Sequence, residues 1–510
     1  MVLIYTLVIL VCEFSLPGFA SELVDKHLEV RNSLLYAENK LMLGGDIVLS
    51  KDEEVVNKKI MELKNKIIDE GFANPQYFNF SKHFFEYKDE VKDSPLYKIL
   101  KQMPKGAVLH AHDSGLIDPD FIVNITYWDD LWVCFVDDTV EFQFSRDKPI
   151  SSCEENWESM EDARYSSDSI EKFDNDLRKH FTIIVDNPHE VYTDINLVWD
   201  KFQMFFIVTT PLLSYKPAWE YYLYNSLNEF RKENVMYIEI RTVLSQLYDL
   251  DGYIYNAVET ANIWKKTVDR FLKDHPDFVG AKLIYSPMRK VNSVTVEEYI
   301  NTAIQLKEEF PTFIAGFDLV GQEDLGQPLK AFLPQLTEAA EDLTFFFHAG
   351  ESNWYGTSTD ENLLDAIILG SVRLGHAYAL GKHPILMDEV KRRDVAIEVN
   401  VLSNALLGLV SDIRNHPVAT FLARGLPVVL SSDDPGVWGA DPLTHDFFVT
   451  FVGVASRHTD LRLLKKLAMN SLRYSTVEDK PAVMKEFEKR WTIFINDMLV
   501  NNYDTDETRI

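Results

Sequence analysis

Residues 106–115 read GAVLHAHDSG, an apolar run of strand length that ends in two histidines separated by one alanine. Similar runs recur along the chain, and a segment with helical periodicity follows each of them. The eight runs span 107–112, 235–240, 282–286, 314–320, 343–348, 372–376, 396–401 and 427–432. Strands that alternate with helices form a parallel sheet, and eight such units close a barrel. The sequence therefore predicts an α/β fold of the (β/α)8 TIM-barrel type.

An N-terminal helical arm precedes the barrel. The segment SKDEEVVNKKIMELKNKIIDEG at 50–71 places Ser50 and Glu53 at the spacing of a capping box, and Gly71 is a predicted stop signal. Its apolar residues repeat with the period of a helix, as do those of residues 23–43. We expect this arm to bury its apolar stripe against the barrel or against a second subunit.

A small inserted domain is predicted after the first strand. Residues 124–181 contain three tryptophans, a large excess of acidic over basic residues, and two of the cysteines. The predicted boundaries are 1–20 for a signal peptide, 21–100 for the N-terminal helical arm, 101–123 with 182–510 for the barrel, and 124–181 for the inserted domain.

The first residues, MVLIYTLVILVCEFSLPGFA, have the apolar run and the small residues of a secretory signal peptide. An N-terminal anchor or a buried segment is the alternative, because no Lys or Arg precedes the run. Secretion would place the protein in the extracellular space, where Cys134 and Cys153 are expected to form a disulfide. Sequons at Asn79 and Asn124 are predicted glycosylation sites.

The composition limits the classes of partner. Apolar residues make up 46% of the chain and charged residues 26%, as in a packed globular protein, and the formal net charge is -29. This charge repels phosphate backbones and anionic headgroups, so we expect neither a nucleic-acid partner nor membrane insertion. A small neutral or cationic ligand fits the composition better.

Polar residues end four of the predicted strands. His110 and His112 end the first strand, and they share one face because side chains in a strand alternate with a period of two. The other strand ends carry His348 and Glu351, His376, and Asp433 with Asp434. Active sites of barrel enzymes lie at this end of the strands. Burying several imidazoles and carboxylates without an ion would be costly, so the pattern predicts a metal site.

The residue types also predict the chemistry. Three histidines and one aspartate are ligands for zinc or a similar divalent ion, with one position left for water. The fourth strand, 314–320, lacks a lysine that could bridge a second metal, which favours a single ion. Glu351 is then the expected general acid, and His376 the group that orients or deprotonates the water. Asp434 is either a substrate ligand or a partner of a ligand histidine.

Other candidate residues carry weaker signals. His383, His416 and His445 lie in helical or loop contexts, and we expect them at the surface or at helix caps. The aromatic segment 199–206 has helical spacing, which favours a role in the core.

Four motifs, MPKGAVLHAHDSG, FFFHAGESNWYGTS, RLGHAYALGKHP and LSSDDPG, occur in this order. Together they resemble the secreted adenosine deaminase-related growth factors, a branch of the adenosine and AMP deaminase group, and the similarity extends to about residue 491. The resemblance implies one Zn2+ per subunit, held by His110, His112, His348 and Asp433. It implies Glu351 as the proton donor to the purine and His376 as the group that activates water. The implied substrate contacts are Asp113, Trp199, Phe202, Gly321 and Asp434, which would make the segment 199–206 a pocket wall.

The implied activity is the hydrolytic deamination of adenosine, and by extension 2'-deoxyadenosine, to inosine and ammonia, which would lower extracellular adenosine. The family also has an N-terminal dimerisation arm and a disulfide-bearing inserted domain, which implies a homodimer here. Met288 and Gln322 stand where the family has histidines, so we expect a change in substrate affinity and in ribose-side specificity. The alternative function is a catalytically weak, growth-factor-like ligand that acts through a cell-surface receptor.

Overall fold

The computed structural model describes residues 17–136, 139–151, 153 and 156–500. The predicted signal peptide, 1–20, lies outside the described residues except for its last four residues, which begin the first helix, Pro17–Leu41. Among the described residues, no helix combines the length and the apolar character that crossing a membrane would require.

Eight parallel strands form a closed barrel, as predicted. The barrel is formed by β1 and by β5 to β11. In chain order, the eleven strands of the described residues are β1 (Gly106–Val108), β2 (Leu131–Val136), β3 (Thr139–Phe144), β4 (Glu158–Ser159), β5 (Val235–Thr242), β6 (Gly280–Tyr285), β7 (Ile314–Phe317), β8 (His348–Ala349), β9 (Arg373–His376), β10 (Ala396–Val399) and β11 (Val428–Leu430). Two parallel sheets, β1-β5-β6-β7 and β8-β9-β10-β11, make up the barrel. Parallel bridges between Phe317 and Phe345 and between Ala111 and Asp433 join the sheets at both seams. Each barrel-forming strand overlaps one of the eight runs of the sequence, although β8 shares only His348 with the run 343–348.

Helices surround the barrel, and further helices precede its first strand and follow its last strand. They are α1 (Pro17–Leu41), α2 (Lys51–Ala73), α3 (Phe84–Tyr87), α4 (Pro95–Gln102), α5 (Pro119–Ile125), α6 (Met160–Tyr165), α7 (Ile170–Arg178), α8 (Pro188–Val191), α9 (Ile195–Leu213), α10 (Lys216–Lys232), α11 (Ala257–Asp274), α12 (Ser293–Glu309), α13 (Leu333–Ala339), α14 (Asn362–Ile368), α15 (Pro384–Arg393), α16 (Val401–Leu406), α17 (Val418–Ala423), α18 (Thr444–Val449), α19 (Leu461–Arg473) and α20 (Lys480–Val500).

Helix α2 of the N-terminal arm has the predicted N-terminal cap but ends later than predicted. Ser50 caps α2, and its hydroxyl accepts a hydrogen bond from the Glu53 backbone N–H at 3.2 Å. The helix continues past Gly71 to Ala73. A Cβ at position 71 would lie 2.4 Å from the Phe78 ring, so this glycine permits close packing and does not stop the helix.

Helix α1 exposes several apolar side chains to solvent in the single chain. Leu23 and Leu34 are 56% and 64% exposed. The predicted burial against the barrel is therefore absent for these two side chains, and dimerisation through the arm stays a prediction.

The segment between β1 and β5 contains a small antiparallel sheet, in which β2 pairs with both β3 and β4. The disulfide between Cys134 and Cys153 is present, as predicted. Of the two sequon asparagines, Asn124 is exposed on α5 and Asn79 is half-buried.

Charged residues lie inside the barrel, where they pair with one another. Strand β5 is buried along its whole length although it carries Glu239 and Arg241. The Arg373 guanidinium of β9 donates to Glu239 at 2.6 Å and also contacts Glu398 of β10. Thr476 donates its hydroxyl to Glu239 at 2.8 Å, which connects the barrel interior to the segment before α20.

We expect Glu239→Gln to lower the free energy of unfolding by about 3 kcal/mol, because removing one partner leaves a buried charge poorly compensated. Chemical denaturation monitored by circular dichroism measures the change. Glu389→Gln is the control, since Glu389 pairs with Arg392 and Arg393 on the exposed surface of α15. Equal and small effects of both substitutions would contradict the expectation.

Candidate active site

A cavity of about 640 Å³ lies at the carboxyl ends of the barrel strands. All but one of the predicted metal, catalytic and substrate residues line it: His112, Asp113, Trp199, Phe202, Gly321, His348, Glu351, His376, Asp433 and Asp434. His110 is the exception, and it is fully buried among the residues of the cluster. The structure thus brings together residues that are up to 324 positions apart in the chain (434 minus 110).

Four histidines and Asp433 form a compact cluster at the base of the cavity. Asp433 Oδ1 lies 3.2 Å from His112 Nε2 and 3.4 Å from His110 Nε2. The ring centroids of His110 and His348 are 4.5 Å apart, and those of His110 and His376 are 4.7 Å apart. Two overlapping groups, His110 with His348 and His376, and His110 with His112 and Asp433, each have ligand atoms within 4.8 Å of one another, which suits the coordination of an ion.

Two buried carboxylates fix the Nδ1 atoms of the two buried ligand histidines, His110 and His348. His110 Nδ1 contacts Glu398 at 2.8 Å, and His348 Nδ1 contacts Asp318 at 2.6 Å. Arg241 lies between the two carboxylates and donates to both at 2.7 Å. Each carboxylate accepts a hydrogen bond from Nδ1–H, so each Nε2 keeps its lone pair and faces the cluster.

The charges below the cluster stabilise these protonation states. Burial alone would raise the pKa of Asp318, but His348 and Arg241 lower it well below its usual range. Burial also lowers the pKa of His348 to about 3, so its ring is neutral at physiological pH. A neutral imidazole with a free Nε2 lone pair is the form that binds a metal.

Two buried atoms that lack hydrogen-bond partners in the described part of the chain indicate that the cluster fits a metal ion. His110 Nε2 and Asp433 Oδ1 are buried and have no hydrogen-bond partner among the described residues. Leaving such atoms unpaired is costly, and an ion between them would remove the cost. Burial raises the pKa of Asp433, but the imidazoles of His110 and His112 lower it well below its usual range. A carboxylate with neutral imidazoles is a donor set for zinc.

The surroundings of Glu351, beside this cluster, favour its protonated form. Its side chain is buried, and burial raises its pKa well above the usual range, with the carboxylates of Asp433 and Glu323 adding to the effect. Glu323 anchors the loop, because its two oxygens accept the backbone N–H groups of Gly350 at 2.9 Å and Glu351 at 2.6 Å. The arrangement favours a carboxyl group that can donate a proton into the cavity.

Two further carboxyl groups lie on the other side of the cavity. Asp113 accepts the Thr242 hydroxyl at 2.7 Å, and burial raises its pKa. Burial and the adjacent Asp433 raise the pKa of Asp434 well above its usual range. Asp434 Oδ1 has no partner among the described residues, and a Cβ at position 115 would approach it to 2.0 Å, so only glycine fits there. These contacts favour a ligand-binding role for Asp434.

Left-handed backbone holds two cluster residues in position. Both His376 and Asp433 have a φ of 58°. Such a conformation costs about 1–3 kcal/mol in a residue with a side chain, and it persists where the surrounding structure imposes it. Strain of this kind is concentrated at functional sites.

The cavity wall is aromatic and its rim is mostly apolar. Trp199 and Phe202 project from α9, whose first turn is capped by the Asp194 side chain. Four lining residues are exposed, and three of these are apolar: Gln203, Ile207, Val243 and Met288. The Met288 methyl group would lie 3.0 Å from a Cβ at position 321, where the backbone has a φ of +103°.

His383, His416 and His445, which were expected at the surface or at helix caps, are not exposed. Two of them do lie at helix ends: His383 directly precedes α15, and His416 Nδ1 accepts the N–H of Val418, which begins α17. His416 and His445 are buried, and His383 is partly buried and contacts Asp360 at 2.9 Å. Helical and loop contexts misled the prediction, because these segments pack against the barrel. The Tyr97 hydroxyl lies 3.0 Å from His445 Nδ1, for example, which satisfies the ring inside the protein.

The sequence analysis missed the residues that support the histidines. Asp318 and Glu398 belong to apolar strand runs and Arg241 directly follows one, at positions where a charged residue is unusual. A charged residue in or beside an apolar strand run indicates a buried ion pair, although the sequence does not identify its partner.

Comparison with known proteins places the chain in a family. The description "Adenosine deaminase" matches residues 171–486, and "Adenosine/AMP deaminase N-terminal" matches residues 6–100. The intervening residues, 101–170, contain His110, His112 and the small sheet.

Curated relatives are similar over nearly the whole chain. Adenosine deaminase of Phlebotomus duboscqi is 43% identical over 470 residues, which cover 91% of this chain and 91% of the relative. Adenosine deaminase 2 of Homo sapiens is 40% identical over 479 residues, with coverages of 92% and 93%.

Solved structures of lower identity share the fold. The N6-methyl-AMP deaminase of Arabidopsis thaliana superimposes with a TM-score of 0.52 at 17% identity, over 77% of this chain and 98% of that chain. The adenine deaminase of Arthrobacter aurescens gives a TM-score of 0.53 at 18% identity, over 76% and 99%. From the family match and the coverage of its relatives, the chain belongs to the adenosine deaminase family.

Proposed function

We propose that the protein is a zinc-dependent adenosine deaminase, which hydrolyses adenosine and 2'-deoxyadenosine to the corresponding inosine and ammonia outside the cell. The observation that carries the proposal is the pairing, in one cavity, of an unsatisfied His/Asp cluster with a buried glutamic acid whose pKa is raised. Hydrolytic deamination of a purine needs both an activated water and a proton for the ring.

One zinc ion per chain would be held by four of the clustered residues: His110, His112, His348 and Asp433. When bound, zinc lowers the pKa of water toward neutrality and so supplies a nucleophile. Asp318 and Glu398 orient two of the ligand imidazoles. Zinc is favoured over magnesium or calcium, which prefer oxygen ligands.

Glu351 would donate its proton to ring nitrogen N1 as water adds at C6, so that the electrons displaced from the ring have an acceptor. Its raised pKa suits this role, because the carboxyl group carries a proton before the substrate binds. Trp199 and Phe202 would pack against the purine, while Asp113, Asp434 and Gly321 contribute polar contacts along the cavity.

The charges of the cavity favour a neutral nucleoside over a nucleotide. Its carboxyl groups are Asp113, Glu351, Asp433 and Asp434. Among the described lining residues, Arg241 is the one guanidinium or ammonium group, and it is fully buried and paired with carboxylates. With C6 at the cluster, the sugar points toward the rim, where Met288 cannot bind a phosphate.

Several features of the proposal rest on the sequence and its family resemblance. These are secretion, glycosylation at Asn79 and Asn124, the homodimer and any receptor-binding role. The acidic composition is compatible with an extracellular enzyme that acts on a small uncharged substrate.

We expect Glu351→Gln to reduce kcat for adenosine by about 10² to 10⁴-fold, because the amide cannot deliver a proton to the ring. The ultraviolet change on conversion of adenosine to inosine measures the rate, and elemental analysis measures the zinc content, which should be unchanged. Glu361→Gln, at an exposed position ten residues further on, is the control and should keep full activity. Full activity of Glu351→Gln would contradict its role as proton donor.

We expect Glu398→Gln to weaken zinc binding by about 10 to 100-fold, because His110 loses the carboxylate that orients it. Competition with a chromophoric chelator measures the affinity. Glu239→Gln is the matched control, since Glu239 binds the same Arg373 but no cluster histidine. Equal losses in both variants would show a general effect of the ion-pair network and contradict the specific role of Glu398.

We expect kcat/KM for AMP to be far below that for adenosine, and Met288→Lys to raise the AMP-to-adenosine ratio by about tenfold or more, as a new charge-assisted hydrogen bond would. Steady-state kinetics with both substrates measure the ratio. Ile385→Lys places the same charge on α15, at a position that is 72% exposed, and should leave the ratio unchanged. An unchanged ratio in Met288→Lys would place the sugar away from this rim.

A further inference from the structure

A buried chain of hydrogen bonds leads from the backbone of α17 to His376. The Val418 N–H donates to His416 Nδ1 at 3.1 Å, and His416 Nε2 lies 3.1 Å from Asn404 Oδ1. The amide nitrogen of Asn404 lies 2.9 Å from His376 Nδ1. The three polar side chains of this chain are buried.

The backbone N–H sets the direction of every bond in this chain. A backbone nitrogen can only donate, so His416 Nδ1 is an acceptor and the proton of the neutral ring sits on Nε2. Burial lowers the pKa of His416 to about 3, so the neutral ring is the form present. The atom of Asn404 that faces this N–H must be the amide oxygen. The amide NH2 of Asn404 then faces His376 and donates to its Nδ1.

We infer that Asn404 and His416 are positioning residues, which hold His376 in the tautomer that carries its proton on Nε2. In this tautomer His376 neither accepts a proton from water nor binds the metal through Nε2. It donates a hydrogen bond, and so orients the attacking water and stabilises the oxygen that adds at C6. This inference rests on the proposed deaminase function.

The contrast with the ligand histidines supports the assignment. His110 and His348 each have a carboxylate acceptor at Nδ1, which leaves Nε2 free to bind a metal. His376 has an amide donor there, although its ring lies equally near the cluster. The chemical type of the Nδ1 partner thus distinguishes the two ligand histidines, His110 and His348, from the hydrogen-bond donor His376.

Two other groups approach the His376 ring without deciding its tautomer. The Asn400 amide nitrogen lies 3.5 Å from Nδ1 and 3.4 Å from Nε2, so it is aligned with neither nitrogen. Glu351 Oε1 lies 3.4 Å from Nδ1, which is longer than the contact from Asn404. On the other side of the ring, Nε2 lies 3.7 Å from Asp433 Oδ2.

The substitution Asn404→Asp tests the inference, because a carboxylate would accept from both rings and move the His376 proton to Nδ1. We expect kcat for adenosine to fall by about 10²-fold or more, as in enzymes whose histidine is held in the wrong tautomer. KM and the zinc content should change little. Asn470→Asp is the matched control, since Asn470 is buried and donates to the Val428 carbonyl outside this chain of bonds.

An unchanged or higher kcat in Asn404→Asp would overturn the inference. It would show that the reaction proceeds with an unprotonated His376 Nε2, which can accept a proton but cannot donate a hydrogen bond. Nitrogen-15 NMR of histidine-labelled, zinc-loaded wild-type protein gives a second readout that does not depend on the folding of a variant. A protonated Nε2 on His376, assigned with His376→Gln, supports the inference, and a protonated Nδ1 overturns it. Absence of adenosine conversion by the wild-type enzyme would instead count against the proposed function, and the NMR result would still report the tautomer.

Discussion

The hydrogen bonds at Nδ1 of His110 and His348 are the constraint on which the site depends. Glu398 and Asp318 accept from Nδ1 of His110 and His348, and Arg241 holds both carboxylates from below. Without these contacts the imidazoles could rotate or change tautomer, and their Nε2 lone pairs would not converge. The barrel interior therefore serves as a rigid support for the atoms that face the cavity.

This support explains why charged residues occupy the interior of a barrel that apolar side chains could fill. Buried ion pairs contribute little net stability compared with well-packed apolar residues, because their desolvation is costly. Their value here lies in orientation, since a carboxylate held by Arg241 can fix an imidazole while remaining ionised. The left-handed backbone at His376 and Asp433 likewise costs stability, because it is strained, and it orients the two side chains toward the cavity.

The sequence was sufficient for the barrel and for the set of residues that meet in the cavity. Strand runs such as 427–432, followed by Asp433 and Asp434, carry both the periodicity and the polar residues that mark a strand end. It was insufficient wherever a partner lies far along the chain. His416 is paired with Asn404 inside the protein, and Glu398 with His110 across 288 positions, and neither contact has a local signal. Gly71 shows the same limit, because its neighbour Phe78 decides its role.

We propose that the His/Asp cluster binds a zinc ion and that adenosine conversion depends on this ion. The most direct test measures zinc content and the ultraviolet change from adenosine to inosine on the same preparation, before chelation, after chelation, and after zinc is restored. The account predicts about one zinc ion per chain, loss of conversion in parallel with loss of zinc, and recovery of both. Full conversion by protein shown to be free of metal would contradict the account.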